Sequence, residues 1–258
     1  MRPSSQPVPG RRFLTALPVF NEVRHVEGVL DEVLRFTPDV LVVDDGSTDG
    51  TSRLLADRLE RQGDIRVVRH AQNRGYGAAL ATAFRETLSG GWDGLVTIDC
   101  DGQHQPRLIP QFLAAATAPL PAGASPDIVS GSRYLQHFEG DSLPPEGRRR
   151  INETITAEIN ARFGFGLTDA FCGFKAYTRR ALESLHVSEF GYAMPLEVWV
   201  QAAAAGLRVV EFPVPLLYLD LARSFGGALD NAETRLAYYR SVLDRAEAAV
   251  VAAAHVDG

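Results

Sequence analysis

The fold is indicated first by one stretch of the chain, residues 40–49, with the sequence VLVVDDGSTD. The apolar run 40–43 is typical of a strand buried on both faces of a parallel sheet. Residues 44–46 form a polar turn that ends the strand, and residues 47–49 are all suitable N-cap residues for a helix. A strand that passes through such a turn into a helix predicts the first half of a βαβ unit.

The same alternation continues along the chain. Further strands are predicted at residues 13–17, 65–68, 94–98, 127–130, 174–177 and 207–212. Helices are predicted at residues 23–34, 47–59, 76–88, 150–162, 195–205 and 232–254 and after Pro106, with a mobile loop at 135–149. This order predicts an α/β fold, a mostly parallel, doubly wound sheet in one domain.

Polar clusters fall where these strands end. They are residues 18–22, 44–48, 99–103 and 131–133. Ligands of doubly wound sheets bind outside the carboxyl ends of the strands. The clusters therefore predict one ligand site at this edge of the sheet.

Composition excludes several classes of protein. The 258 residues are 45% hydrophobic and 22% charged, which is typical of a globular chain and not of a disordered or fibrous one. A net charge of -6 argues against nucleic acid as a partner. Two cysteines fit a reducing compartment, and no apolar stretch reaches the roughly 20 residues of a transmembrane segment. We expect a cytoplasmic protein.

Asp99 and Asp101 directly follow an apolar strand. Residues i and i+2 of an extended chain point to the same side, so both carboxylates can face one site. Two such carboxylates can ligate a hard divalent cation, Mg²⁺ or Mn²⁺, which would neutralise a diphosphate. Taken alone, however, an Asp-x-Asp pair is more often a polar turn that caps the next helix.

Read together and in order, four motifs resemble the family 2 glycosyltransferases of GT-A (Rossmann-like) fold. They are ALPVFNE at 16–22, VVDDGSTDGT at 42–51, NRGYGAA at 73–79 and DCDGQHQP at 99–106. Later motifs resemble the dolichyl- or polyprenyl-phosphate sugar synthase branch: GSR at 131–133, DAFCGFK at 169–175, GY at 191–192 with Glu197, EFPV at 211–214 and RSFG at 223–226. In that branch a lysine commonly follows the last motif and is expected to help hold an acceptor phosphate, whereas here Gly227 and Ala228 follow. Arg148, Arg149 and Arg150 could supply the positive charge in its place.

The resemblance implies a role for each matching residue. The nucleotide-sugar, of the GDP-mannose or UDP-glucose type, would be held by Pro18, Asn21, Glu22, Asp44 and Asp99. The divalent cation would be held by Asp99, Asp101 and Gln103. Arg133 and Arg223 would contact phosphate oxygens, where a guanidinium group makes two contacts. Asp169 would lie near the acceptor, either as a general base or as a positioning group.

The implied reaction is an inverting, metal-dependent transfer of a hexose to a polyprenyl-phosphate-type acceptor, by an enzyme peripheral to the cytoplasmic face of a membrane. A soluble or polysaccharide acceptor is the enzymatic alternative, and a non-catalytic nucleotide-sugar binding protein is the alternative of another class. A nucleotidyltransferase would carry a glycine-rich basic loop after the first strand, and residues 18–22 do not form one.

The domain prediction has three parts. Residues 1–12 form a loose tail, residues 13–227 the GT-A domain, and residues 228–258 a C-terminal helix. Within the domain, about 13–133 would hold the nucleotide-sugar and 134–227 the acceptor. Asp244, Arg245 and Glu247 lie within the last helix, and such charges are more typical of a docked terminal helix than of a membrane anchor. His104 is expected to shape its loop.

Overall fold

The computed structural model describes residues 11–121, 123–218 and 227–255. In this part of the chain one seven-stranded sheet has the order β3-β2-β1-β4-β6-β5-β7. Its strands are β1 (Phe13–Val19), β2 (Val40–Asp44), β3 (Arg66–Arg69), β4 (Gly94–Thr97), β5 (Ile128–Ser132), β6 (Lys175–Thr178) and β7 (Val209–Pro213). All are parallel to their neighbours except β6, which runs antiparallel to β4 and β5. The prediction of a mostly parallel α/β sheet is confirmed.

Helices cover both faces of this sheet. They are α1 (Val26–Val33), α2 (Thr51–Gln62), α3 (Tyr76–Ser89), α4 (Ile109–Thr117), α5 (Glu146–Phe163), α6 (Arg179–Ser184), α7 (Met194–Ala204) and α8 (Ala232–Ala254), with 3₁₀ turns at Pro106–Leu108 and Gly227–Asp230.

Helices α2, α5 and α6 differ most from the sequence prediction. Helix α2 begins at Thr51 and its N-cap is Gly50, so none of the predicted N-cap residues 47–49 occupies that position. Helix α5 begins at Glu146 after Pro145, so the last four residues of the predicted loop, 146–149, belong to its first turn. That turn is polar, and the apolar pattern begins only at Ile151, which is why the prediction started too late. Helix α6 was not predicted, because six residues are too few to show a helical period.

The apolar core is divided among the two sheet faces and a third cluster. On one face Leu30, Val42 and Phe112 are buried, and on the other Leu41 and Leu95. The third cluster joins α5, α7 and α8 and contains Ile155, Leu196, Trp199, Tyr239 and Leu243. Helix α8 is therefore packed into the domain. Burial of each such side chain stabilises the fold by about 1.5–3 kcal/mol. No helix among the described residues is long and apolar enough to span a membrane.

Candidate active site

A cavity of about 520 Å³ opens at the carboxyl ends of β1, β4 and β5. Six of the predicted site residues line it: Pro18, Glu22, Asp99, Asp101, Gln103 and Arg133. Asn21, Asp44 and Asp169 lie outside its wall, and Arg223 lies outside the described residues. Six of the ten predicted site residues therefore meet at one cavity, at the predicted edge of the sheet.

The turn after β4 presents the two aspartates to the cavity. The Tyr76 hydroxyl donates to Asp99 Oδ1 (3.1 Å), and the Gln103 N–H donates to Asp101 Oδ1 (3.0 Å). Gly102, between Asp101 and Gln103, has a φ of 75°, a left-handed conformation that favours glycine. A Cβ atom on Gly173 would come within 2.2 Å of Asp99 Oδ2, so the glycine of the DAFCGFK motif makes room for this carboxylate.

The chemistry of this turn fits a hard cation. Asp99 and Asp101 offer carboxylate oxygens and Gln103 an amide oxygen, which are the ligands that Mg²⁺ and Mn²⁺ prefer. Within the described ranges, no three His, Cys, Asp or Glu side chains are grouped as a metal site.

His104 braces the turn from beneath. Its Nδ1 lies 3.2 Å from the backbone nitrogen of Asp99. Nε2 lies 3.9 Å from Cys172 Sγ, and the ring packs against Phe174 with a centroid distance of 5.5 Å. These contacts agree with the loop-shaping role predicted for this histidine.

The two aspartates after β2 have separate places. Asp44 accepts the N–H of Ser47 (2.9 Å) and the hydroxyl of Ser52, which turns its carboxylate into the α2 side of the loop and away from the cavity. Asp45 lines the cavity, and its carboxylate accepts the N–H groups of Arg74 (2.9 Å) and Gly75 (2.7 Å) and contacts His70 Nδ1 (2.6 Å).

The sequence predicts a role for Asp44, whereas Asp45 is the one that lines the cavity. Asp44 is the last residue of β2, and the next residue points to the other side. Asn21 also has a local role, because its N–H donates to Ser47 Oγ (2.9 Å) and its Oδ1 accepts from Thr48 N–H (2.8 Å). It ties the β1 loop to the β2 loop.

On the other side of the cavity, Arg133 forms a two-pronged ion pair with Asp169. Arg133 Nε donates to Oδ2 (2.7 Å) and Nη2 to Oδ1 (2.9 Å). Asp169 is fully buried, and its Oδ1 also accepts from Asn152 Nδ2 (2.8 Å) and from the Phe171 N–H (3.1 Å). Burial raises the pKa of Asp169, but Arg133 and these donors outweigh it and hold the pKa well below the ordinary range.

A second carboxylate holds the backbone beneath this pair. Glu211 on β7 accepts the N–H groups of Thr168 (2.9 Å) and Asp169 (3.0 Å), and burial is the main cause that raises its own pKa. The Thr168 hydroxyl contacts Ser132 Oγ at 2.5 Å, next to Arg133. The EFPV and DAFCGFK motifs thus meet in a network that fixes Arg133 at the cavity wall.

The sequence is similar to those of known proteins. The model of the family "Glycosyl transferase family 2" matches residues 15–185. The chain belongs to this family. It is 31% identical to the "Undecaprenyl-phosphate mannosyltransferase" of Micrococcus luteus, over 86% of this chain and 90% of that protein. It is 32% identical to the "Polyprenol monophosphomannose synthase" of Mycolicibacterium smegmatis, over 94% of this chain and 92% of that protein.

Solved structures share the fold. Glucosyl-3-phosphoglycerate synthase from Mycobacterium tuberculosis, in complex with phosphoglyceric acid, matches with a TM-score of 0.65 and 21% identity, over 92% of this chain and 80% of that one. A mannosyltransferase from Pyrobaculum calidifontis, in complex with GDP-Man and Mn²⁺, matches with a TM-score of 0.53 and 20% identity, over 97% and 77%. The predicted GT-A fold is confirmed, and the protein is a glycosyltransferase.

Other walls of the glycosyltransferase cavity come from helices α8 and α5, and among the arginines at 148–150 it is Arg148 that lines it. Helix α8 contributes Arg235 and Tyr239, and α5 contributes Arg148. Arg235 is only 5% exposed and donates from Nη1 to the Leu229 carbonyl (2.6 Å). The one sequence signal for this wall is the four-residue spacing of Arg235 and Tyr239, which places both on one face of a helix.

Proposed function

We propose that this glycosyltransferase moves a hexose from a nucleotide-sugar of the GDP-mannose or UDP-glucose type to a polyprenyl-phosphate-type acceptor, with inversion at the anomeric carbon. The names of the relatives from Micrococcus luteus and Mycolicibacterium smegmatis support a lipid-phosphate acceptor. The enzyme would meet such an acceptor at the cytoplasmic face of a membrane, by contact with its surface.

The observation that carries the proposal is the state of Asp169. Its carboxylate is engaged by Arg133 and Asn152, and its low pKa makes it a poor acceptor of a proton. A hydroxyl acceptor needs a general base, whereas a phosphate is already ionised and needs none. Of the two roles predicted for Asp169, we therefore propose positioning: it holds the guanidinium of Arg133 in place.

On the donor side, we propose that Pro18, Glu22 and Asp45 border the nucleoside, since all three line the cavity near the β1 and β2 loops. Asn21 and Asp44 would act one step removed, by shaping those loops. Asp99, Asp101 and Gln103 would hold Mg²⁺ or Mn²⁺. When bound there, the cation would neutralise the negative charge of the diphosphate.

On the acceptor side, we propose that Arg133, Arg148 and Arg235 attract the acceptor phosphate. All three line the cavity, and guanidinium groups pair with phosphate oxygens in two-pronged contacts. A phosphate oxygen then bonds to the anomeric carbon from the face opposite the diphosphate. The bond from that carbon to the diphosphate breaks, and its electron pair leaves with the nucleoside diphosphate.

The test is a transfer assay with labelled UDP-glucose and GDP-mannose, each with and without polyprenyl phosphate, in the presence of Mn²⁺. We expect label in the organic phase only when the lipid is present, and from one of the two donors. Water-soluble product alone would support the alternative, a soluble or polysaccharide acceptor. Tight donor binding with no transfer to any acceptor would support a non-catalytic binding protein.

The metal site has its own test. Asp101→Ala is expected to abolish Mn²⁺-dependent transfer without a change in the thermal midpoint of unfolding, because Asp101 lies in the turn after β4 and not in the core. A purified variant that turns over at the wild-type rate with Mn²⁺ present contradicts the assignment of Asp99, Asp101 and Gln103.

A further inference from the structure

The segment of residues 188–192, here called the Tyr192 loop, contacts both helix α3 and helix α8 and lines the cavity. Its residues Gly191 and Tyr192 line the cavity. It lies between the N-terminus of α3, which carries the NRGYGAA motif, and the C-terminal helix α8. The family match ends at residue 185, so the loop and α8 both lie beyond it.

On the α3 side, backbone meets backbone. The Phe190 carbonyl accepts the N–H groups of Gly77 (2.8 Å) and Ala78 (3.4 Å), which caps the N-terminus of α3. A Cβ atom on Gly75 would lie 2.3 Å from the Phe190 carbonyl oxygen, and one on Gly77 would lie 2.1 Å from the Glu189 carbonyl oxygen. The two glycines therefore serve the close approach of the Tyr192 loop.

Tyr76, between these glycines, carries the contact to the predicted metal turn. Its ring stacks on Tyr192, with ring centroids 6.0 Å apart and an interplanar angle of 22°. Its hydroxyl donates to Asp99 Oδ1 (3.1 Å). A displacement of the Tyr192 loop would thus move both a wall of the cavity and a hydrogen-bond donor to Asp99.

On the opposite side, two carboxylates hold the loop. Glu197 of α7 accepts the N–H groups of Ser188 (2.8 Å) and Glu189 (2.8 Å). The side chain of Glu189 accepts the Gly191 N–H (2.9 Å) and the hydroxyl of Tyr238 on α8 (2.7 Å), and Arg245 lies 3.5 Å away. Glu189 is therefore the residue through which α8 holds the Tyr192 loop in place.

We propose that Glu189 and Tyr238 are positioning residues for the donor side of the site: through their hydrogen bond α8 holds the Tyr192 loop against α3 and so orients Tyr192, Tyr76 and Asp99. This inference rests on the proposed function, because it concerns the binding of a nucleotide-sugar. It makes the C-terminal helix a working part of the glycosyltransferase site.

The test is Tyr238→Phe, which removes one hydroxyl and keeps the ring. Loss of one hydrogen bond corresponds to roughly a 5-fold effect. We expect the KM for the nucleotide-sugar, and the Kd of GDP or UDP with Mn²⁺ by calorimetry, to rise by that factor while kcat changes little. Glu189→Ala should have a larger effect on both, because it also releases Gly191.

The matched control is Glu158→Gln. It weakens another tether of α8, the contact of Glu158 with Arg240 Nη2 (2.6 Å) and Nε (2.9 Å), on α5 and away from the Tyr192 loop. We expect the same nucleotide Kd as in the wild type. Equal nucleotide affinity in Tyr238→Phe and wild type, or an equal loss in Tyr238→Phe and Glu158→Gln, overturns the inference.

Failure of the proposed function looks different. A folded wild-type protein that binds neither GDP nor UDP overturns the proposed function and this inference together. A wild-type protein that binds one of them, with variants that bind it equally well, overturns the inference alone. Circular dichroism of each variant confirms that it is folded before binding is compared.

Discussion

Two buried aspartates, at opposite ends of the strands of one sheet, both pair with arginine but have different roles. Asp169 lies at the carboxyl edge of the parallel strands and is 0% exposed; Asp127, just before β5 at the opposite edge, is 3% exposed. Asp169 pairs with Arg133, whose side chain is 19% exposed at the cavity wall. Asp127 pairs with Arg180 and Arg208, whose side chains are 51% and 41% exposed to solvent.

The chemistry of the two carboxylates is alike. Asp127 Oδ2 accepts from Arg180 Nη1 (2.7 Å), Arg208 Nε (3.1 Å) and the Arg208 N–H (2.8 Å). Burial raises the pKa of Asp127, and the Arg208 and Arg180 donors outweigh it, so the pKa is lowered, as for Asp169. The difference lies in the surroundings of the guanidinium groups: Arg133 faces the cavity, whereas Arg180 and Arg208 face solvent. Only the first pair is expected to serve catalysis.

The largest expected effect is that of Asp169→Asn. Removing one partner of a buried ion pair costs about 3–5 kcal/mol of unfolding free energy, and Arg133 loses the group that orients it. We expect that loss in urea denaturation at pH 7, together with a fall in sugar transfer of roughly 100-fold or more. Normal transfer by the folded variant would contradict the positioning role.

This effect depends on pH. The folded-state pKa of Asp169 lies below the ~3.9 of an unfolded aspartate. Its ion pair therefore stabilises the fold fully above that value, and the stabilisation is lost as the pH falls through the folded-state pKa. The difference in unfolding free energy between wild type and Asp169→Asn should be constant from pH 6 to 8 and shrink only in strong acid. A difference that disappears near pH 6 would contradict this assignment.

Next in size is Arg133→Lys. The charge stays, but a lysine cannot make the two-pronged contact with Asp169 and also present a planar fork to a phosphate. We expect kcat/KM to fall by about 100-fold, with a smaller loss of stability than in Asp169→Asn. The control is Arg208→Lys at the opposite edge, for which kcat/KM should equal that of the wild type.

Features that depend on local sequence signals could be predicted, and features that depend on distant partners could not. Strands such as β2 were predictable because their apolar runs are local signals, and the polar turns after them located the site at one edge. The antiparallel direction of β6 depends on its pairing with β4 and β5, and a short run of residues carries no sign of it.

Side-chain partners were equally hidden. Arg133 and Asp169 stand 36 residues apart, and nothing in either motif says that they bind each other. The contribution of α8 to the cavity was also out of reach, since a helical pattern shows which face is apolar but not which helix it meets. The alternation of sides at the end of β2 shows that Asp44 and Asp45 point to opposite sides, but not which of them faces the cavity.

A smaller effect is expected from Asp127→Asn. The aspartate is buried, but both arginines are more than a third exposed, so solvent screens much of their attraction. We expect a loss of about 1–3 kcal/mol, chiefly from weaker hydrogen bonds to a neutral side chain, and wild-type kcat/KM. A fall in kcat/KM comparable to that of Asp169→Asn would break the contrast between the two edges.

The smallest expected effect is that of Arg180→Ala. Asp127 would keep three donors from Arg208, namely its N–H, Nε and Nη2, so no buried charge is left without a partner. The lost pair is half exposed and contributes about 0.2–1 kcal/mol, and salt should reduce that further. Urea denaturation at low and high salt measures it. A loss as large as that of Asp169→Asn would mean that exposure of the arginine does not decide what such a pair contributes.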